Sequence, residues 1–262
     1  KVQTTRGIIR GILTAGASQV VFMDTPGIFK PRRRLDRAMV TSAWGGARDA
    51  DLVAFLVDVE RGLKGDAAAI LEKLPGMKGR KILILNKVDR VEPEVLLKLS
   101  AAANEADVFE QTFMISALKG HGCEDLVDYL AEAVPAGPWF YPEDQLSDLP
   151  MRQLSAELTR EKLYLRLHQE LPYSAHVETE AWTENEDGSV KVEQVIYIQR
   201  EAHKKIVIGK GGQTLKAISM AARKELSGIL EQKVHLFLFV KVRENWGDDP
   251  ERYREMGLAF PA

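Results

Sequence analysis

Lys81-Ile82-Leu83-Ile84-Leu85-Asn86-Lys87-Val88-Asp89 decides the fold. An aliphatic run at 82–85 stops at a polar tetrad. A run this short, with no polar alternation, reads as a strand buried on both faces, as in a parallel sheet beneath helices. A carboxylate in the loop after such a strand can accept two hydrogen bonds, from the N1–H and the exocyclic amino group of guanine. Adenine offers no such donor pair, so Asp89 would select guanine. The Lys87 stem can lie over the base plane while its ammonium stays in water, with Asn86 and Val88 completing the motif. As an ordinary polar loop the tetrad would need no ligand, so its neighbours must decide.

Upstream, Asp24-Thr25-Pro26-Gly27-Ile28 follows the apolar run Gln19–Met23. A carboxylate at a strand's C-terminal end can hold Mg²⁺ through water, and the Gly27 amide can meet a terminal phosphate because glycine permits close approach. Downstream, Ser116-Ala117-Leu118 follows Thr112–Ile115, with backbone amides placed to reach the base carbonyl. Each segment alone also fits a plain turn. Together, in this order and each at a strand's C-terminal end, they favour a GTP-type site over coincidence, because ligands of open α/β sheets bind at that edge. Gly7–Thr14 and Gln19–Met23 read as a hairpin, and Leu52–Val59 as a further strand. Arg37–Arg48, Asp66–Leu74, Glu94–Glu105 and Cys123–Val134 read as helices. The fold expected for this half is α/β, a doubly wound, P-loop NTPase-like sheet.

Residues 136–150 hold three prolines and no period, and read as a linker. Beyond them the expected order is α-β-β-α-α-β: helix Arg152–Glu170, strands His176–Trp182 and Val190–Gln199, helical segments on either side of Gly209-Lys210-Gly211-Gly212, and strand Lys233–Val242. A Gly-x-x-Gly turn has no bulky side chains, so a nucleic-acid backbone can approach it with Lys210 at a phosphate. Between Arg200 and Lys224 stand seven basic residues and one acidic, a net charge of +6 centred on the turn. A flexible turn with solvated lysines is the bland alternative; charge and element order favour an RNA-binding module of the type II KH kind, an α+β domain, with Lys204, Lys205, Ile208 and Gly209–Gly212 as its RNA contacts.

The whole chain conceals that patch. Across 262 residues, 36 basic side chains nearly balance 38 acidic ones, which excludes a protein that is basic all over. An apolar fraction of 45% excludes disorder as the main state, and no apolar run approaches a membrane span. The single cysteine, Cys123, excludes an intrachain disulfide. The histidines show no ligand spacing. The tryptophans read as packing residues, with Trp246 the one to test for base stacking. Arg32-Arg33-Arg34 reads as a solvated loop, with an RNA or domain contact as the alternative.

The combination resembles the Era family of translation-factor-like GTPases, carried by Asn86-Lys87-Val88-Asp89 paired with Ile208-Gly209-Lys210-Gly211-Gly212. Gln3-Thr4-Thr5-Arg6 looks like that family's first switch, and 141–174 and 246–258 look like its linker with first KH helix and its C-terminus. The resemblance implies Thr5 as the residue sensing Mg²⁺ and γ-phosphate, with Thr4 as fallback, and Thr5, Asp24 and Gly27 as the catalytic set. It implies GTP/GDP as ligand, Mg²⁺ as cofactor, and the 3′ region of 16S rRNA and the small ribosomal subunit as partners. It further implies RNA and not DNA, a monomer, and a cytoplasmic location that can extend to the inner face of the membrane. Ile28 stands where Ras-like proteins carry a water-orienting Gln, so turnover should be slow or depend on a partner. The expected division is a GTPase domain at 1–137, a linker at 138–150 and a KH domain at 151–262. No Gly-x-x-x-x-Gly-Lys-Ser/Thr occurs in the 262 residues. The family places this P-loop before Lys1, so the expectation is a natural protein that carries it upstream, and impaired nucleotide binding by a polypeptide that starts at Lys1. Two alternatives stand beside this reading: an RNA-binding assembly module with an inactive nucleotide domain, and a related double-domain ribosome-assembly GTPase.

Overall fold

The computed structural model describes residues 5–167, 171, 174–244 and 246–261. The expected strand 81–85 is β4 (Arg80–Asn86), the centre of a parallel sheet of order β3-β4-β5, with β3 at Leu52–Asp58 and β5 at Gln111–Ile115. Ile82, Leu83 and Leu85 have no exposed surface. Leu83 and Leu85 pack with Phe55, Val57, Leu74 and Ala103 on one face, beneath α2 (Asp66–Leu71) and α3 (Pro93–Asn104). Ile82 and Ile84 pack with Phe113, Ile115 and Leu130 on the other, beneath α4 (Cys123–Ala133). Burial on both faces is the physical origin of the unalternated run.

The hairpin consists of β1 (Ile9–Ala15) and β2 (Ser18–Asp24), paired antiparallel as a separate two-stranded sheet. It docks through Val20, which joins the cluster of Ile82, Ile84 and Phe113. Ala54 and Leu56, in register with Ile82 and Ile84, stay exposed.

The linker region is tied along the β1–β2 hairpin. The Ile12 amide donates to Leu146 O at 2.9 Å, and Ser147 Oγ donates to Arg10 O at 2.8 Å. Arg10 pairs with Asp148 at 2.7 Å, and Gln19 Nε2 donates to Tyr141 O at 2.8 Å.

The second half has the expected order: α5 (Met151–Arg166), β6 (Ala175–Glu184), β7 (Val190–Ile198), α6 (Glu201–Ile208), α7 (Gln213–Leu230) and β8 (Val234–Val242), followed by α8 (Pro250–Glu255). β7 is central, antiparallel to β6 and parallel to β8. Its inward side chains Val192, Ile196 and Ile198 are fully buried in the clusters formed with α5, α6 and α7.

The outer face of β7 is the seat of the first half. Val195 and Tyr197 form one cluster with Leu35, Ala38 and Met39 of α1 (Arg34–Asp49), and with Trp246, Tyr253 and Leu258. This revises two expectations. Arg32 and Arg33 are exposed loop residues, as expected, but their amides each donate to Asp36 Oδ2 at 2.9 Å, which starts α1 early; Arg34 instead lies in α1 and pairs with Asp248 at 3.3 Å, the domain contact that was the alternative. Trp246 is 1% exposed and donates through Nε1 to Ser174 O at 3.1 Å, so it cannot stack on a base.

His176 stacks on Trp246 with ring centroids 5.5 Å apart. Burial, followed by the charges of Arg6, Arg252 and Arg160, holds its pKa well below the ordinary value. A histidine depressed on folding binds its proton more readily in the unfolded chain. Stability should therefore be full above the unfolded pKa of about 6.5 and fall by about 1.4 kcal/mol per pH unit below it, until the folded pKa is reached. Urea midpoints between pH 7.5 and 5 check this, and His176→Gln should flatten that part of the profile.

Candidate functional site

Asp89, in the loop after β4, forms an ion pair with Lys119 Nζ at 3.0 Å. A hydrogen bond from the Ser116 hydroxyl, then one from Lys119, hold its carboxyl down at about 2. The carboxylate is thus ionised at every physiological pH, the state that accepts two N–H donors. Asn86, the last residue of β4, joins the two loops: its Oδ1 accepts from the Lys87 amide at 2.8 Å and from the Ala117 amide at 3.0 Å. Lys87 holds a left-handed backbone, φ +72°, uncommon for a residue with a side chain and frequent at binding sites. Its ammonium meets Asp58, the last residue of β3, at 2.6 Å. Burial works to raise the Asp58 carboxyl, but the hydrogen bonds from Lys87 and the Glu60 amide, with the charges of Lys87 and Arg61, together outweigh it and hold the pKa below normal. Val88 is half-buried in the turn, Ser116 is buried, and Ala117 and Leu118 are exposed, Leu118 at 96%.

Asn86, Asp89, Ser116 and Ala117 therefore converge as the sequence implied. Lys119 and Asp58 were missing from the sequence-based set. Lys119 stands next to the quoted tripeptide, and Asp58 ends the neighbouring parallel strand in register with Asn86.

Asp24 ends β2, and Thr25–Ile28 form the loop before α1, with Pro26 buried, Gly27 exposed and Ile28 half-buried. Thr5 Oγ1 donates to Asp24 Oδ2 at 2.8 Å. Thr4 lies outside the described residues. The pair presents a hydroxyl and a carboxylate, the hard oxygen donors that suit Mg²⁺, which takes one or two protein oxygens and completes its shell with water and phosphate. Among the described residues no group of three or more His, Cys, Asp or Glu could cage a metal ion.

In the second half, Gly209–Gly212 join α6 to α7. Gly209 has φ +74°, and a Cβ there would come within 2.2 Å of Thr214 Oγ1, so only glycine fits. Gly212 caps α7, whose first amides lack helical partners and attract anions. Lys205 and Lys210 are exposed and Lys204 is half-buried. Among the described residues none of the seven basic side chains between 200 and 224 forms a salt bridge, which leaves their charge available to phosphates. Ile208 is half-buried; the helix phase turns Val207 into the core and Ile206, 55% exposed, outward, and this apolar residue was missing from the sequence-based set.

A family model described as a KH domain matches residues 170–247, and one described as a 50S ribosome-binding GTPase matches 1–87. GTPase Era of Rhizobium meliloti (strain 1021) is 73% identical over all of this chain and 83% of its own length. GTPase Era of Brucella suis biovar 1 (strain 1330) is 66% identical over all of this chain and 84% of its own. The chain belongs to the Era GTPase family.

Two solved Era structures superpose on this Era-family chain almost throughout. One is Era in complex with MgGDPNP and nucleotides 1506–1542 of 16S ribosomal RNA, with TM-score 0.91 and 33% identity over 98% of this chain and 87% of that one. The other is an Aquifex aeolicus Era variant bound to GDP·AlF4⁻, with TM-score 0.90 and 32% identity over 98% of this chain and 88% of that one. The Era-family fold of a P-loop GTPase domain followed by a KH domain is thereby shown for this chain.

Proposed function

We propose that the chain is a GTP-controlled switch that binds the 3′ region of 16S rRNA through its KH turn during small-subunit assembly. The observation that carries this reading is Asp89, held ionised by Ser116 and Lys119 in the loop after β4, in the same chain as a glycine turn whose basic surroundings form no salt bridge among the described residues. The Era relative that holds both MgGDPNP and a 16S rRNA segment supports the pairing of the two sites.

In this reading residues 1–137 form the GTPase domain, 138–150 the linker and 151–262 the KH domain. Asn86, Lys87, Val88 and Asp89, with Ser116, Ala117 and Leu118, hold the guanine base. Thr5 and Asp24 hold Mg²⁺, and Thr25, Pro26 and Ile28 frame the loop that brings the Gly27 amide to the γ-phosphate. Mg²⁺, when bound, neutralises charge developing on the phosphate oxygens. Ile28 has no group to orient water, so hydrolysis is slow and the nucleotide acts as a timer. Lys204, Lys205, Lys210 and the Gly209–Gly212 backbone grip single-stranded RNA, with Ile206 and Ile208 beside the bases. The protein works as a cytoplasmic monomer on RNA and not DNA. It can contact the inner face of the membrane peripherally; no helix among the described residues is long and apolar enough to cross a membrane.

The test is GTP hydrolysis by the full-length protein, with affinity for a 16S 3′-end oligonucleotide in the GTP-analogue and GDP forms. RNA affinity should differ between the two forms. Thr5→Ala should remove that difference and slow hydrolysis about a hundredfold, the usual loss of one charge-stabilising contact. No hydrolysis, together with RNA affinity indifferent to nucleotide, would establish an assembly module with an inactive nucleotide domain instead.

A further inference from the structure

Thr5, Arg6 and Gly7 are consecutive, and their contacts lead to three different places. Thr5 Oγ1 donates to Asp24 Oδ2 at 2.8 Å, on the phosphate side of the first half. Arg6 turns the other way and is 2% exposed. Its Nη1 donates to Ala175 O, the first residue of β6 and 169 positions away, at 2.8 Å. Its guanidinium lies 5.3 Å from the ring centroid of Trp246. Gly7 abuts the C-terminal segment so closely that a Cβ would meet Met256 O at 2.2 Å. Ala175 and Trp246 both fall within the residues matched by the KH model.

The anchor is built for a charge. Trp246 is itself fixed by Ser174 O at 3.1 Å and stacked against His176. Burial, followed by the charge of Arg160, brings the Arg6 guanidinium down to about 10, so it remains protonated at neutral pH. A buried arginine held by a carbonyl and an aromatic face cannot slide without losing desolvated contacts, which are stronger there than in water. The adjacent residue therefore has little freedom: a backbone step is 3.8 Å, and a shift of Arg6 by a fraction of that moves Thr5 off Asp24.

We propose that Arg6 is a positioning residue for GTP hydrolysis: anchored in the KH domain on Ala175 O and Trp246, it holds the Thr5 hydroxyl at the metal site, so KH packing and nucleotide state constrain each other through this step of chain. The inference rests on the reading of Thr5 and Asp24 as the Mg²⁺ pair. Its thermodynamic corollary is reciprocal. If a seated Arg6 favours the GTP form, the GTP form favours a seated Arg6, and RNA that prefers that KH placement senses the nucleotide.

Arg6→Ala and Arg6→Lys in the full-length protein test it. Arg6→Ala should lower kcat for GTP by about ten- to a hundredfold, the cost of a mispositioned reacting group. KM for GTP and affinity for GDP should stay within about twofold, because the lost contact is realised only in the hydrolysis-competent arrangement. The Mg²⁺ concentration for half-maximal hydrolysis should rise, and the RNA-affinity gap between GTP-analogue and GDP forms should close. Arg6→Lys keeps the charge without the planar fork and should fall between wild type and Arg6→Ala. Should Arg6→Ala not fold, Arg6→Lys reads the same quantities. Unaltered kcat and Mg²⁺ dependence in a folded Arg6 variant overturns the proposal. Asp89→Asn is the control for the underlying reading. If it keeps guanine selectivity, the nucleotide site itself is misassigned; if it loses it while Arg6 variants are silent, only the role of Arg6 is refuted.

Discussion

Asp89→Asn should turn a guanine site into a xanthine site. The aspartate presents two acceptors to the N1–H and 2-amino group of guanine. Asparagine presents one acceptor and one NH₂, so its amide faces the 2-amino group donor to donor, while xanthine offers a carbonyl there. Sites built to hydrogen-bond a substrate reject the mismatched analogue strongly, so GTP affinity should fall at least about a hundredfold as XTP affinity rises. The fold should survive: Ser116 N is fixed by His121 O at 2.9 Å and Asn86 ties Ala117, independently of Asp89. Competition binding of GTP and XTP to the full-length variant measures it, and unchanged guanine preference would remove Asp89 from the site.

The second large effect is expected at Gly211. It has φ +59°, and a Cβ there would meet nothing within 4 Å. Aspartate tolerates the left-handed region better than most residues, so Gly211→Asp should fold. It places a carboxylate where a phosphate must approach, and RNA affinity should drop about ten- to a hundredfold with a shallower salt dependence. Gly209→Ala is the contrast, because it forces a methyl into Thr214 and fails as a folding defect. An RNA titration of Gly211→Asp, with guanine-nucleotide binding measured alongside, decides the matter. Undiminished RNA affinity would place the interface elsewhere.

The nucleotide side was legible because its information is local. The β4 run ends at Asn86, and the motif residues follow within a few positions, so periodicity and loop chemistry suffice. The second domain was legible as an element order for the same reason. In the first, capping shifted a boundary: Asp36 starts α1 at Arg34, ahead of the expected Arg37. What sequence reading missed is non-local. The pairing of Arg6 with Ala175 spans 169 residues and uses a backbone carbonyl, which has no signature in residue identity. Trp246 beside a basic surface and Trp246 buried beneath an arginine read the same in one dimension. Likewise the segment after Pro138 announces itself by its prolines, while its attachment to the β1–β2 hairpin uses main-chain groups of Leu146 and Tyr141.

The seat of α1 on β7 has a consequence for the order in which the chain is made. Leu35 and Met39 leave the ribosome roughly 160 residues before Val195 and Tyr197, which cover them. At synthesis rates of roughly 5–20 residues per second, that apolar stripe waits on the order of ten to thirty seconds without its partner. During that interval a nascent GTPase domain displays the surface that its own KH domain will later claim.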